Sequence, residues 1–137
     1  MSDKTIFSKI ITGEIPATKV YEDDIVLAFL DINPSNQGHT LVIPKEPSTD
    51  VTETDPDILL HIMTIGQKIA KAQRKALGAT GNNLIFNCGA DGGQEVFHTH
   101  LHVVPRFSDD QVFQPPKHTS YEAGEADIVA DQLKKAL

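Results

Sequence analysis

Apolar residues recur along this chain with two different periods. Ile58, Ile62, Ile65, Ile69, Ala72 and Ala76 follow one another at alternating spacings of four and three, which lines them along one face of an α-helix. Asp55-Pro56 stands before the run and Gly78 after it: an N-cap, a residue pre-set for the first helical turn, and a natural helix stop. Short apolar runs bounded by turn residues predict strands over 18–22, 25–32, 39–43, 83–87 and 96–105. Asp23-Asp24 forms a tight acidic turn between the first two. The turn-rich stretch 33–38 leads into the third strand, which Pro44 ends. Residues 5–12 predict a short helix stopped by Gly13, and residues 126–137 a closing helix after a loop that runs past Pro115-Pro116. Strand pairs precede the main helix and another pair follows it. That order predicts an α+β fold, an antiparallel sheet with one main helix packed on it and short terminal helices, over regular βαβ winding.

Composition narrows the picture. A chain of 137 residues, 39% apolar and 23% charged, suits one folded domain over 1–137. With no tryptophan and 6% aromatics, its core must be largely aliphatic. A net charge of −7 argues against a polynucleotide partner, because gripping a phosphate backbone needs a basic surface. A single mononucleotide stays compatible, since it needs only local positive charge and aimed N–H donors. The lone Cys88 rules out an intrachain disulfide and fits a reducing compartment. Residues 1–15 lack the apolar core of a secretory signal, and no run approaches the roughly 20 apolar residues of a membrane span. A cytoplasmic protein that does not engage a membrane is expected.

The candidate chemistry lies in His98-Thr-His100-Leu-His102. On a strand, alternate residues share a face, so the three imidazoles stack on one side while Leu101 and Val103 point to a core. Imidazole acts near neutral pH as nucleophile, proton donor or acceptor. It is also a metal ligand, and a His-x-His strand is a serious candidate for a metal site. No Cys-x-x-Cys or other obvious set completes a structural zinc site. Just upstream, Asn87-Cys-Gly-Ala-Asp-Gly-Gly-Gln94 carries three glycines in five residues, which allows backbone N–H groups to approach an anion. Gly38-His39 through Lys45 adds a histidine at the start of another strand.

Together these stretches resemble the histidine triad (HIT) superfamily, most closely its Hint-like nucleotide-binding branch. The likeness is carried by Ile6-Phe7, Gly13 through Ala17, Ala28 through Pro34, Gly38-His39 through Lys45, and Asn87 through Arg106. It implies a homodimer that binds a purine mononucleotide such as AMP or GMP and acts at the α-phosphate of nucleoside phosphoramidates or related conjugates, with no metal or other cofactor. His100 would be the nucleophile that forms a nucleotidyl-histidine. His102 would contact phosphate and assist the leaving group, His98 would orient the nucleophile, and His39 would join their network. Asp31 would accept from the ribose hydroxyls, and Ile6, Phe7, Phe29 and Ile32 would line the base pocket. Asn87, Gly93 and the backbone around Gln94, Glu95 and Val96 would sit near the phosphate.

Two departures from the pattern matter. Hint-like proteins commonly place Ser where this chain has Glu95, which bears on the leaving group. Some bacterial relatives carry a zinc-binding Cys pair at the positions of Thr5 and Ser8, so no structural zinc is expected. A dinucleoside polyphosphate hydrolase of the Fhit-like branch, suggested by Pro105-Arg106, and a nucleotide-binding regulator with incidental catalysis are the alternatives.

Overall fold

The computed structural model describes residues 4–137. Five strands form one sheet in the order β1-β2-β3-β5-β4, with every neighbouring pair antiparallel. They are β1 (Lys19–Glu22), β2 (Val26–Leu30), β3 (Thr40–Pro44), β4 (Gly81–Phe86) and β5 (Leu101–Arg106). The helices are α1 (Ile6–Ile11), α2 (Pro56–Leu77) and α3 (Glu125–Ala136). This is the α+β arrangement that the order of patterns predicts.

Alternation divides the sheet into two apolar faces. Val26, Ala28, Val42, Leu101 and Val103 meet Ile62, Ile65 and Ile69 of α2. Leu27, Phe29, Leu41 and Ile43 point the other way and are covered by Phe7 and Ile10 of α1. β2 and β3 are therefore buried on both sides, which explains their unbroken apolar runs. The sharp β1–β2 turn is held by Asp23, whose Oδ1 accepts the Ile25 and Val26 N–H groups at 2.8 Å each.

Three expectations need correction. The buried stripe of α2 leaves the predicted line after Ile69: Ala72 and Ala76 are exposed, and Gln73 is buried in their place. Its Nε2 donates to the carbonyls of Gly38 (3.0 Å) and Val103 (2.9 Å), and its Oε1 accepts from Asn82 at 2.7 Å. The last strand begins at Leu101, well after the predicted 96, because the preceding segment pairs elsewhere: Thr99 N–H donates to the Ser48 carbonyl at 2.8 Å. Finally, α3 forms but closes nothing, since none of its residues is buried.

Candidate active site

The register of β5 carries His102 to the centre of the sheet, opposite Leu41 of β3 and Ile85 of β4. His98 and His100 lie just before the strand, His98 at the end of a bend, yet they keep the shared face. Phe7 of α1 packs edge-on against both, with centroids 5.9 Å from His98 and 5.0 Å from His100. His100 and His102 are ring neighbours at 4.9 Å. His39, just before β3, completes a row of four.

Backbone partners assign the protons. The Ser35 N–H donates to His39 Nδ1 at 3.0 Å, so neutral His39 carries its hydrogen on Nε2. That Nε2–H reaches His102 Nδ1 at 3.0 Å, which leaves the His102 hydrogen on Nε2. His100 Nδ1–H donates to the His98 carbonyl at 2.7 Å, so His100 Nε2 holds a free lone pair. His98 Nε2–H donates to the Pro44 carbonyl at 2.8 Å. Thr5 Oγ1 stands 3.5 Å from His98 Nδ1, and the same oxygen caps α1 through the Ser8 N–H at 3.2 Å. The orientation of His100 thus comes from the main chain of His98, while the His98 ring anchors that segment to β3.

Electrostatics keep the row neutral. Burial lowers the pKa of His39, His98 and His100 below the ordinary histidine value. For His102, burial first, and then the proximity of His100 and His39, brings it down to about 4. Asp31 opposes the shift at His39, His100 and His102, and Glu95 opposes it at His100.

Asp31 follows β2 directly. Its N–H donates to the His39 carbonyl at 2.9 Å, its Oδ1 accepts the Asn33 N–H at 2.9 Å, and its Oδ2 lies 3.7 Å from His39 Nε2. Asp31, His39 and His102 bring three possible ligand atoms within 4.8 Å of one another. A cation there would need His39 Nε2 as an acceptor while Ser35 already uses Nδ1 as one. A neutral imidazole has one donor and one acceptor nitrogen, so the trio fits a proton network better than a metal site.

Two cavities flank the row. The first, of about 110 Å³, is lined by Ile6, Phe7, Phe29, Asp31 and Ile32, with Leu41 at its floor; it gathers every residue predicted for a base and ribose pocket. The second, of about 200 Å³, lies beyond His102 and includes Asn87.

The glycine loop divides the remaining predicted residues. Gly93, at φ +90°, stands beside the Asn87 side chain, where an added Cβ would come within 3.8 Å. Gln94 is buried and occupied: it accepts the Gly89 N–H, donates to the carbonyls of Thr49 and Val96, and gives its own N–H to Gly89. It braces the loop. Val96 packs on the Phe7 side of the core, and the N–H groups of Glu95 and Val96 have no partner among the described residues. Sequence reading missed Ser35, Pro44 and Thr5, whose contributions are backbone groups or a helix cap, and Phe113, which lines the second cavity from the C-terminal segment.

Comparison with known proteins matches this architecture. The family model of the HIT domain fits residues 12–109. A HIT-like protein of Borreliella burgdorferi is 50% identical over 107 residues, covering 77% of each chain. The adenylylsulfatase HINT3 of Arabidopsis thaliana is 42% identical over 110 residues, covering 80% of this chain and 56% of that protein. The crystal structure of a HIT family protein from Bacillus anthracis superposes with a TM-score of 0.91 at 39% identity, covering 100% of this chain and 99% of the other.

Proposed function

The chain belongs to the HIT family of nucleotide-binding hydrolases and transferases, and from that premise we propose that it cleaves purine nucleoside phosphoramidates or related conjugates at the α-phosphate. The observation that carries this reading is the 2.7 Å bond from His100 Nδ1 to the His98 carbonyl, which frees Nε2 as the nucleophile. Burial keeps that imidazole uncharged at neutral pH.

The nucleoside enters the first cavity, with its base against Ile6, Phe7, Phe29 and Ile32 and its ribose hydroxyls donating to Asp31. His100 Nε2 attacks the α-phosphorus and a new P–N bond forms. The bond to the leaving amine or alcohol breaks, and its electron pair stays on the departing atom, which takes a proton from His102 Nε2. The negative charge of bound phosphate is what supports an imidazolium at His102. Once His102 has taken a second proton from solvent, on Nδ1, His39 must turn its own Nε2–H away, and Asp31 Oδ2, 3.7 Å off, is there to accept it. Water then attacks phosphorus and returns a proton to His102, while the P–N pair goes back to His100. Asn87 and the Glu95 and Val96 N–H groups face the phosphoryl oxygens. These steps use no metal, and turnover that survives dialysis against a chelator is the expected result.

The test is hydrolysis of adenosine 5′-phosphoramidate with AMP release followed by chromatography. His100→Ala should lower turnover at least a thousandfold while AMP binding, measured by calorimetry, persists. Acid-quenched wild-type protein should carry an adenylyl group that His100→Ala lacks. Normal turnover by His100→Ala would remove the nucleophile assignment. A homodimer joined through a sheet edge also belongs to this reading: β4 ends the sheet with an unpaired side, and light scattering at twice the monomer mass is the expected result.

A further inference from the structure

The second cavity shares no lining residue with the first, and its walls are of a different character. His39 and His102 form one side; Ile85, Val104 and Phe113 form the apolar remainder, with Ser35 and Asn87 at the rim. Phe113 comes from beyond β5 and is held over the cavity by stacking on Arg106, whose Cζ sits 5.1 Å from the ring centroid.

Position relates this cavity to the reaction. Phe7 and Asp31 belong to the first cavity, and His102 and His39 to the second. His100, packed on Phe7, and His102, 4.9 Å from His100, stand between them. Displacement by His100 drives the departing atom away from His100, toward the neighbour that would protonate it. The space beyond His102 is where the rest of the leaving group must go.

Charge decides what kind of group fits. Arg106 is the cation stacked on Phe113, and each of its three nitrogens is already hydrogen-bonded: Nε and one terminal nitrogen bind Asp110 at 2.9 and 2.6 Å, and the other binds Asn83 at 2.9 Å. A polyphosphate tail would meet a neutralised guanidinium in a protein of net charge −7. An apolar ring meets Ile85, Val104 and Phe113. The volume, about 200 Å³, is nearly twice that of the first cavity, about 110 Å³.

Resting on the function proposed above, we infer that this cavity is the leaving-group subsite, that it takes an amine or alcohol bearing an aromatic or compact apolar body, and that Phe113 determines this preference.

The experiment compares two adenosine 5′-phosphoramidates, one unsubstituted and one N-benzylated, whose leaving amines have similar basicity, together with diadenosine tetraphosphate. Wild-type protein should show a higher kcat/KM for the benzyl conjugate than for either other probe. Phe113→Ala should lower the benzyl-to-unsubstituted ratio about tenfold, the effect of roughly 1.4 kcal/mol. Ile85→Trp, which fills the cavity from β4, should lower it similarly. Phe113 is 43% exposed, so its truncation leaves the core intact, and a matching thermal melt verifies this. If the wild type cleaves both phosphoramidates and neither variant moves the ratio by more than twofold, the subsite is wrong while the function stands. Preference for diadenosine tetraphosphate also overturns it. If the wild type cleaves neither phosphoramidate, the proposed function falls and the subsite with it.

Discussion

His39 Nε2 lies 3.0 Å from His102 Nδ1, and the Ser35 N–H on the far nitrogen of His39 sets the direction of that bond. A main-chain amide in the turn before β3 thereby assigns the tautomer of an imidazole on β5. Removing His39 should undo this. In His39→Ala, the neighbouring charge and part of the burial that lower the His102 pKa from 6.5 to about 4 are lost, so His102 should titrate closer to 6.5. Nitrogen NMR of the imidazoles should also show the His102 proton shared between Nδ1 and Nε2. Turnover should fall by roughly tenfold to a hundredfold, as when an orienting partner is removed from a histidine elsewhere. An unchanged His102 titration would mean that His39 does not govern it.

The same shift makes a prediction for stability. Unfolded His102 takes up its proton as pH falls through 6.5, while the folded form waits until about 4. Between these values the unfolded chain binds more protons, so acid favours unfolding. The contribution is fully present above pH 6.5, is lost as pH falls toward 4, and amounts to about 3 kcal/mol at most. Urea melts at pH 7 and pH 4 should show a larger loss for the wild type than for His102→Asn. Parallel pH dependences in the two proteins would contradict the assignment.

Glu95 brings negative charge to a site proposed to hold phosphate. Its carboxylate acts on His100, where it works against the burial that lowers the pKa. Because Glu95 is exposed, solvent screens much of its field, so the effect should be small and salt-sensitive. Glu95→Gln should tighten AMP binding roughly two- to threefold at low ionic strength, and the gain should shrink in added salt. Weaker or salt-independent binding in the variant would show that Glu95 serves the site by hydrogen bonding instead.

Much of this was legible in the chain, for reasons that differ by residue. The period-two histidines gave their shared face even though only His102 is in a ladder and His98 ends a bend, because Thr99 between them is held to the loop at Ser48. The residues proposed for a base pocket came from the family likeness, and they line one cavity. What sequence could not supply is what the backbone does: the His98 and Pro44 carbonyls and the Ser35 amide have no residue signature. Phe113 was out of reach as well, since it meets the site through a contact with Arg106 that no periodicity encodes. In α2, periodicity favoured two alanines over a glutamine, because a polar residue reads as exposed unless its buried partners are known.

Gln73 is the last test, since it links that misread helix to the site. Its side-chain amide bonds the carbonyls of Gly38 and Val103, the residues that adjoin His39 and His102. It therefore clamps β3 to β5 from behind, at the point where the two histidines meet in front. Gln73→Leu keeps most of the volume but leaves two carbonyls and Asn82 without this partner. Unmet buried groups cost about 1–3 kcal/mol, so the urea midpoint should fall accordingly with an unchanged m-value. If the clamp also sets the His39–His102 distance, the variant should display the His102 titration shift expected of His39→Ala in weaker form. A loss of stability with His102 titrating as in the wild type would confine Gln73 to holding the fold. No loss at all would mean that water replaces the amide at both carbonyls.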